Sequence, residues 1–298
     1  MLSIAWALLP DFVLILLGLS LRRWFGYPAE FWGHLERLVY YVMFPALLFR
    51  SVVKSELEFT PALDMIAAGV GFTAGGLACG LLLCWWLRPS SQAFASTIQT
   101  AFRFNTYIGI AVVDRLAGGP GIAALALLVG VLVPAVNALA VWFLARHGGH
   151  SVWREILRNP LIIATVSGFI CKLLGVTAPD TAMHLIDLFA VAATPLGLLA
   201  VGAGLRSEGL RQNLALINGM TAIKLIVVPA LAWGLAEWFD LSGMYRTAAI
   251  VLATLPTASS AYILAVRMGG DGKLVASIIT MNIFVGMLTL PFWLTFTL

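Results

Sequence analysis

Two short polar stretches interrupt apolar segments that are otherwise long enough to cross a membrane. The first reads F-R-F-N-T-Y-I-G over residues 102–109, and the second reads T-L-P-T-A-S-S-A-Y over residues 254–262. Pro256 lacks a backbone donor and clashes with the preceding turn, so it predicts a broken helix in the second stretch. The same stretch carries small hydroxyls, on Thr257, Ser259 and Ser260. Two interrupted apolar segments about half a chain apart are typical of a binding site in a transporter.

Arg103 places a cation near the middle of the first interrupted segment. A guanidinium there costs at least about 2.5–3.5 kcal/mol on insertion scales unless it is paired or faces water. It could clamp a carboxylate through charge-assisted hydrogen bonds. Alternatively, it pairs with a neighbour, snorkels, or anchors the broken helix. The sequence alone does not decide between a ligand-binding and a structural role for Arg103.

Asn105 offers two donors and an acceptor and tolerates non-helical backbone, which suits the point where the first segment unwinds. We expect Asn105 to contact substrate; the alternative is a cap on the following half-helix. Thr106 and Tyr107 follow directly and are assigned to the same site. In this stretch, which has no proline, Asn105 and Gly109 are expected to cause the break. Half-helix N-termini that converge here would favour an anionic ligand.

Lys224 is a second cation deep inside an apolar segment. It is predicted to serve as a proton carrier or as a counter-ion for substrate. Pairing with Asp64 or with a backbone carbonyl is the alternative. Asn137 and Asn282 could line the same cavity, or hydrogen-bond across helices without touching a ligand.

The composition describes a chain that lies mostly in lipid. Of its 298 residues, 61% are hydrophobic and 11% are charged, against roughly 45–50% and about 25% in soluble domains. The net charge of +4 is attributed to loops on the cytoplasmic side rather than to a nucleic acid partner. The sequence contains no H-E-x-x-H, P-loop or G-x-S-x-G motif, and its three cysteines lack metal-ligand spacing. We therefore expect neither an enzyme nor a cofactor or metal site.

Segments of about 20 apolar residues are needed to span a bilayer. Ten are predicted, at residues 4–24, 36–55, 62–87, 93–116, 121–145, 159–176, 183–205, 213–238, 245–268 and 273–297. The longest polar link, residues 146–158, lies near the centre of the chain and is expected in the cytoplasm. It divides the chain into a first half, residues 1–145, and a second half, residues 159–298.

The two halves are predicted to be an inverted repeat. A shift of about 150 positions brings prolines, a glycine and a histidine into register, as in Pro10 with Pro160 and Pro45 with Pro195, and superimposes the two interruptions. Five helices per half force opposite orientations on the two halves. Loops after odd-numbered helices carry more than twice as many Lys and Arg as the opposite loops. This bias predicts both termini outside the cytoplasm.

Several motifs in chain order resemble the auxin efflux carrier family. They are L-V-Y-Y-V-M-F-P-A-L-L-F at residues 38–49, F-N-T-Y-I-G at 104–109, R-N-P-L at 158–161, A-T-P-L-G-L-L-A-V-G at 193–202, and the run at 255–272 with A-S-I-I-T-M-N after it. The resemblance spans nearly the whole chain. It departs after Gly109, where the family commonly has proline and this chain has Ile110 and Ala111.

The resemblance implies a ten-helix, five-plus-five inverted repeat like that of the bile-acid symporters. Helices 1, 2, 6 and 7 would form a scaffold that dimerises, and helices 3–5 and 8–10 a transport domain with broken helices 4 and 9. Asn105 and Pro256 match the family's crossover residues. The expected function is secondary transport of a small organic anion, malonate-like or auxin-like, by an elevator mechanism in a bacterial inner membrane. A non-transporting sensor for a small acid and a sodium-coupled symporter of bile-acid type are the alternatives.

Overall fold

The computed structural model describes residues 2–54, 59–144, 160–175, 179–205 and 213–295. The predicted link at 146–158 lies outside the described residues. Every regular element in the described ranges is helical, as the apolar composition requires, because a helix satisfies its own backbone polar groups in lipid.

The helices occupy the predicted segments closely. They are α1 (Leu2–Arg23), α2 (Ala29–Leu38), α3 (Phe44–Val53), α4 (Phe59–Leu87), α5 (Ser91–Thr97), α6 (Thr106–Leu144), α7 (Pro160–Leu173), α8 (Asp180–Ala203), α9 (Leu214–Ala222), α10 (Val228–Trp238), α11 (Gly243–Thr254), α12 (Ser260–Arg267) and α13 (Gly272–Leu294). The largest difference is at the second segment, where the helix begins at Ala29 instead of residue 36. The charged turn before residue 36 lowers the local hydropathy, so the start of the helix was not recognised from the sequence.

Several of these elements are parts of one membrane crossing. Within the described residues, five helical stretches are long and apolar enough to span a membrane by length and composition. They are Thr60–Leu87, Ser91–Leu144, Asp180–Ala203, Leu214–Trp238 and Gly272–Leu294. The 39 residues of α6 would extend about 58 Å at 1.5 Å per residue, almost twice a bilayer core of about 30 Å. Non-helical backbone at Gly118 (φ 56°, ψ −151°) divides α6 into two helices.

Prolines explain two wide turns inside continuous helices. A π-helical turn, Val39–Met43, joins α2 to α3 just before Pro45, and another, Ile223–Val227, joins α9 to α10 just before Pro229. A proline cannot donate to the carbonyl four residues earlier, and a π turn absorbs the mismatch. The carbonyl left free before Pro229 is that of Leu225, and it accepts a hydrogen bond from the indole of Trp293 at 2.9 Å.

Small residues allow the closest helix crossing. A Cβ at Gly18 of α1 would overlap the backbone of Leu199 in α8, and a Cβ at Gly202 of α8 would overlap the backbone of Ile15. This is the small-residue packing that brings membrane helices together. Helix α1 packs along α8, and α3 packs on α7 and α8; separately, α11 packs on α6 and α10, and α10 packs on α4.

Both predicted interruptions are present as breaks in the helices. A 3-10 turn, Ile98–Ala101, follows α5, and residues 102–105 are not helical before α6 begins at Thr106. Helix α11 ends at Thr254, and Pro256 lies in the non-helical connection to α12. The expectation that Gly109 helps to unwind the first interrupted segment is wrong. Gly109 is helical, and a Cβ there would come within 2.7 Å of Leu255 Cδ1, so its role is close packing against the second interrupted segment.

Candidate binding site

The two breaks lie against each other and are joined by hydrogen bonds. The backbone N–H of Asn105 donates to the carbonyl of Pro256 at 2.9 Å. In the other direction, the Thr257 hydroxyl donates to the carbonyl of Thr100 at 2.8 Å. Each break therefore satisfies backbone groups that the other leaves without a helical partner. We call residues 98–109 the first arm and residues 254–262 the second arm.

Asn105 caps the half-helix that leaves the first arm. Its Oδ1 accepts hydrogen bonds from the N–H groups of Tyr107 at 3.1 Å and Ile108 at 3.3 Å. Asparagine is among the best residues at such a helix start. The side-chain oxygen of Asn105 therefore has the capping role that was the alternative prediction. The side-chain NH2 group is not used by the cap, and it leaves Asn105 two donors for a ligand.

Arg103 extends between the two arms and a third helix. One guanidinium nitrogen donates to Gln99 Oε1 at 3.0 Å, and the other donates to Asn137 Oδ1 at 3.0 Å and to Ser260 Oγ at 2.8 Å. Only 7% of Arg103 is exposed. These three acceptors are neutral side chains, and together they orient the guanidinium. Gln99 was not predicted as a site residue from the sequence. Its position four residues before Arg103 could have indicated the contact, because side chains at this spacing lie side by side on a helix.

The second arm and α13 share a smaller polar cluster. Asn282 Nδ2 donates to the Thr257 hydroxyl at 2.8 Å. The Asn282 Oδ1 atom is buried and has no hydrogen-bond partner among the described residues. Such an orphaned acceptor costs about 1–3 kcal/mol, so we expect a water or a ligand donor to reach it.

The remaining predicted residues lie close to these clusters. Thr106 begins α6, and the Tyr107 ring stacks on Phe44 of α3 with ring centroids 4.7 Å apart. Ser259 occupies the N-cap position of α12, where its side chain makes no capping hydrogen bond. The structure therefore gathers the predicted residues of both arms in one region.

The Lys224 side chain contacts the end of α11, directly before the second arm. It is 1% exposed, and its Nζ donates to the carbonyl of Ala253 at 3.0 Å. This carbonyl belongs to the last turn of α11, where the helix dipole is negative and a cation is favourable. The described ion pairs do not join Lys224 to Asp64. The predicted alternatives for Lys224 included pairing with Asp64 or with a backbone carbonyl, and the structure shows the backbone carbonyl contact.

A family model and two relatives match this sequence. The model for "Membrane transport protein" matches residues 144–294. A protein of Rhizobium meliloti described as "Putative malonate transporter" is 30% identical over 292 residues, covering 90% of this chain and 88% of the relative. An "Uncharacterized transporter" of Methanothermobacter thermautotrophicus is 24% identical over 287 residues, covering 94% of each chain.

The match to the family model takes in half of the chain, and the similarity to the Rhizobium protein extends over most of it. The helical fold agrees with a protein that crosses the membrane several times. The chain therefore belongs to the membrane transport protein family, that of the auxin efflux carriers, and is a multi-pass membrane transporter rather than an enzyme.

Proposed function

We propose that this protein is a secondary transporter that moves a small organic anion across the membrane. The observation that carries the proposal is the Arg103 guanidinium, buried between two broken helices and oriented by neutral acceptors. A guanidinium held in this position attracts an anionic substrate through charge-assisted hydrogen bonds. A carboxylate suits a guanidinium particularly well, because the two groups can form parallel hydrogen bonds.

The backbone around Arg103 favours the same class of ligand. Helix α6 begins at Thr106 and α12 begins at Ser260, and both starts lie in the region where the arms meet. Helix N-termini carry partial positive charge that favours anions. The Asn105 NH2 group and the Ser259 hydroxyl add further donors. The name of the Rhizobium relative makes a malonate-like acid the first ligand to try; an auxin-like acid is the second.

An elevator movement fits the packing of the helices. We infer that α1, α2, α3, α7 and α8 form a fixed scaffold and that α4–α6 and α9–α13 carry the substrate past it. Each group takes helices from both halves of the sequence, residues 1–145 and 159–298, which we propose are an inverted repeat. Asp11 of α1 and Arg115 of α6 form a two-bonded ion pair at 2.6 and 2.9 Å. This pair joins the two groups and would have to break when they move.

The cellular setting follows from the same proposal. A scaffold face free of the moving group could pair with a second copy, so we propose a homodimer. We place the chain in a bacterial inner membrane with both termini outside the cytoplasm, in keeping with the distribution of Lys and Arg between its loops.

A thermal-shift screen of the purified protein tests the choice of ligand. A ligand that binds the folded state raises its stability by RT ln(1 + [L]/Kd), so a substrate at about 100 times its Kd adds about 2.7 kcal/mol. We expect mono- or dicarboxylates or indole acids to raise the melting temperature, and Arg103→Gln to abolish the rise. A rise with bile acids that requires sodium, and none with small carboxylates, would contradict the proposal and favour the sodium-coupled alternative.

A further inference from the structure

A cavity of about 170 Å³ lies between the scaffold helices and the second arm. Its wall includes Arg22 at the end of α1, Glu36 on α2, and Ser259 and Tyr262 on the second arm. One buried water needs only about 10–15 Å³ by this kind of measure, so the cavity has room for a small organic molecule. A ligand held there would touch both groups of helices.

Arg22 supplies the cation of this cavity. One of its guanidinium nitrogens donates to the carbonyl of Ala203 at the end of α8. This bond fixes the side chain to the scaffold and uses only part of its donor capacity, since a guanidinium carries five N–H donors.

Glu36 supplies a carboxylate on the same wall. Glu36 and Arg22 are not joined by any of the described ion pairs. The carboxylate and the guanidinium therefore lie more than 4.0 Å apart. The cavity therefore presents one cation and one separate anion to whatever occupies it.

This pair of charges discriminates among small acids. A carboxylate at the Arg22 end gains charge-assisted hydrogen bonds. A second carboxylate beside Glu36 would be repelled by a like charge at close range. A hydrogen-bond donor at that end gains a bond to the Glu36 carboxylate instead. The best ligand therefore has a carboxylate at one end and a donor at the other.

We propose that Arg22 and Glu36 form a substrate subsite for a singly charged acid, binding its carboxylate at Arg22 and a hydrogen-bond donor at its other end through Glu36. The proposal rests on the proposed function, because it adds scaffold residues to the same route and narrows the class of anion. Malonate would be taken in its half-protonated form, and acid amides would be accepted as well.

Three malonate derivatives test the subsite by isothermal titration of the purified full-length protein. Malonamate and monomethyl malonate both carry one carboxylate, but only malonamate has a donor at the other end. A hydrogen bond to a charged group is stronger than one between two neutral groups. We therefore expect malonamate to bind at least about ten-fold more tightly than the ester, a ratio equal to about 1.4 kcal/mol. Malonate measured as its dianion should bind more weakly than malonamate.

Two substitutions and their matched controls assign the effect to residues. Glu36→Gln should reduce the preference for malonamate over the ester to within about three-fold and improve binding of the dianion. Arg22→Gln should weaken all three ligands by about ten-fold or more. Arg23→Gln and Glu30→Gln alter exposed charges on the same two helices, outside the cavity wall, and should leave all three affinities unchanged.

The outcomes separate this inference from the proposed function. If malonate derivatives bind, Arg103→Gln abolishes binding, and the Arg22 and Glu36 variants match their controls, the subsite is wrong and the transporter proposal stands. Equal affinity of wild-type protein for malonamate and its ester would also overturn the subsite. If neither these derivatives nor other small carboxylates bind to wild type, both proposals fail.

Discussion

Asn105 has two separable tasks in this account, and one pair of substitutions distinguishes them. Its Oδ1 caps α6 through the N–H groups of Tyr107 and Ile108, and its NH2 group is proposed to reach substrate. Asn105→Asp keeps an acceptor at the cap, removes the donors and adds a negative charge. Asn105→Ala removes the acceptor and the donors. The backbone bond from residue 105 to Pro256 survives in either variant.

The two variants should differ in stability but not in transport. Loss of an asparagine cap costs about 0.5–2 kcal/mol, so Asn105→Ala should melt a few degrees below wild type. A carboxylate at a helix N-terminus is itself favourable by about 0.3–1 kcal/mol, so Asn105→Asp should melt close to wild type. Both should lose anion uptake, because the alanine variant lacks the donors and the carboxylate of the Asn105→Asp variant would also repel the substrate.

Uptake of labelled malonate into proteoliposomes measures transport, and thermal melting of the same preparations measures stability. Protein recovered per vesicle is the control for insertion. If Asn105→Asp transported at the wild-type rate, the side-chain donors would have no part in substrate binding, and Asn105 would be a structural cap alone.

Three further substitutions test the packing around the site. Lys224→Met leaves the Ala253 carbonyl without its donor and should lower stability by about 1–3 kcal/mol, measured by thermal melting; an unchanged melting temperature would contradict the capping role. Asp11→Asn breaks the ion pair with half-exposed Arg115 and should cost about 1–2 kcal/mol, between the values for exposed and buried pairs; no loss in chemical denaturation would refute it. Gly202→Val places a side chain into the backbone of α1 and should prevent folded expression, whereas normal expression would show that the crossing is loose.

The sequence was sufficient to locate the apolar helices and both breaks. Long apolar runs identify spans because lipid demands satisfied backbone groups, and Pro256 identifies a break because it removes a donor. The start of α2 was missed for the converse reason. Its charges lower the local hydropathy, although the chain remains helical from Ala29.

The partners of individual side chains were beyond sequence reasoning. Lys224 contacts a backbone carbonyl 29 residues away, and every residue has such a carbonyl, so no pattern of residue types points to it. Gly109 looked like a helix breaker, but its close contact is with Leu255, which depends on how the arms are packed. The cavity between Arg22 and Glu36 likewise arises only when separate helices are brought together.

Counterflow is the most direct test of the claim that this chain carries small organic anions. Vesicles containing wild-type protein and loaded with unlabelled malonate, then diluted into a trace of labelled malonate, should accumulate label above the level of equilibration. The accumulation should be transient and should be absent with Asn105→Asp. Saturable binding of malonate without any accumulation would contradict transport and would identify a sensor instead.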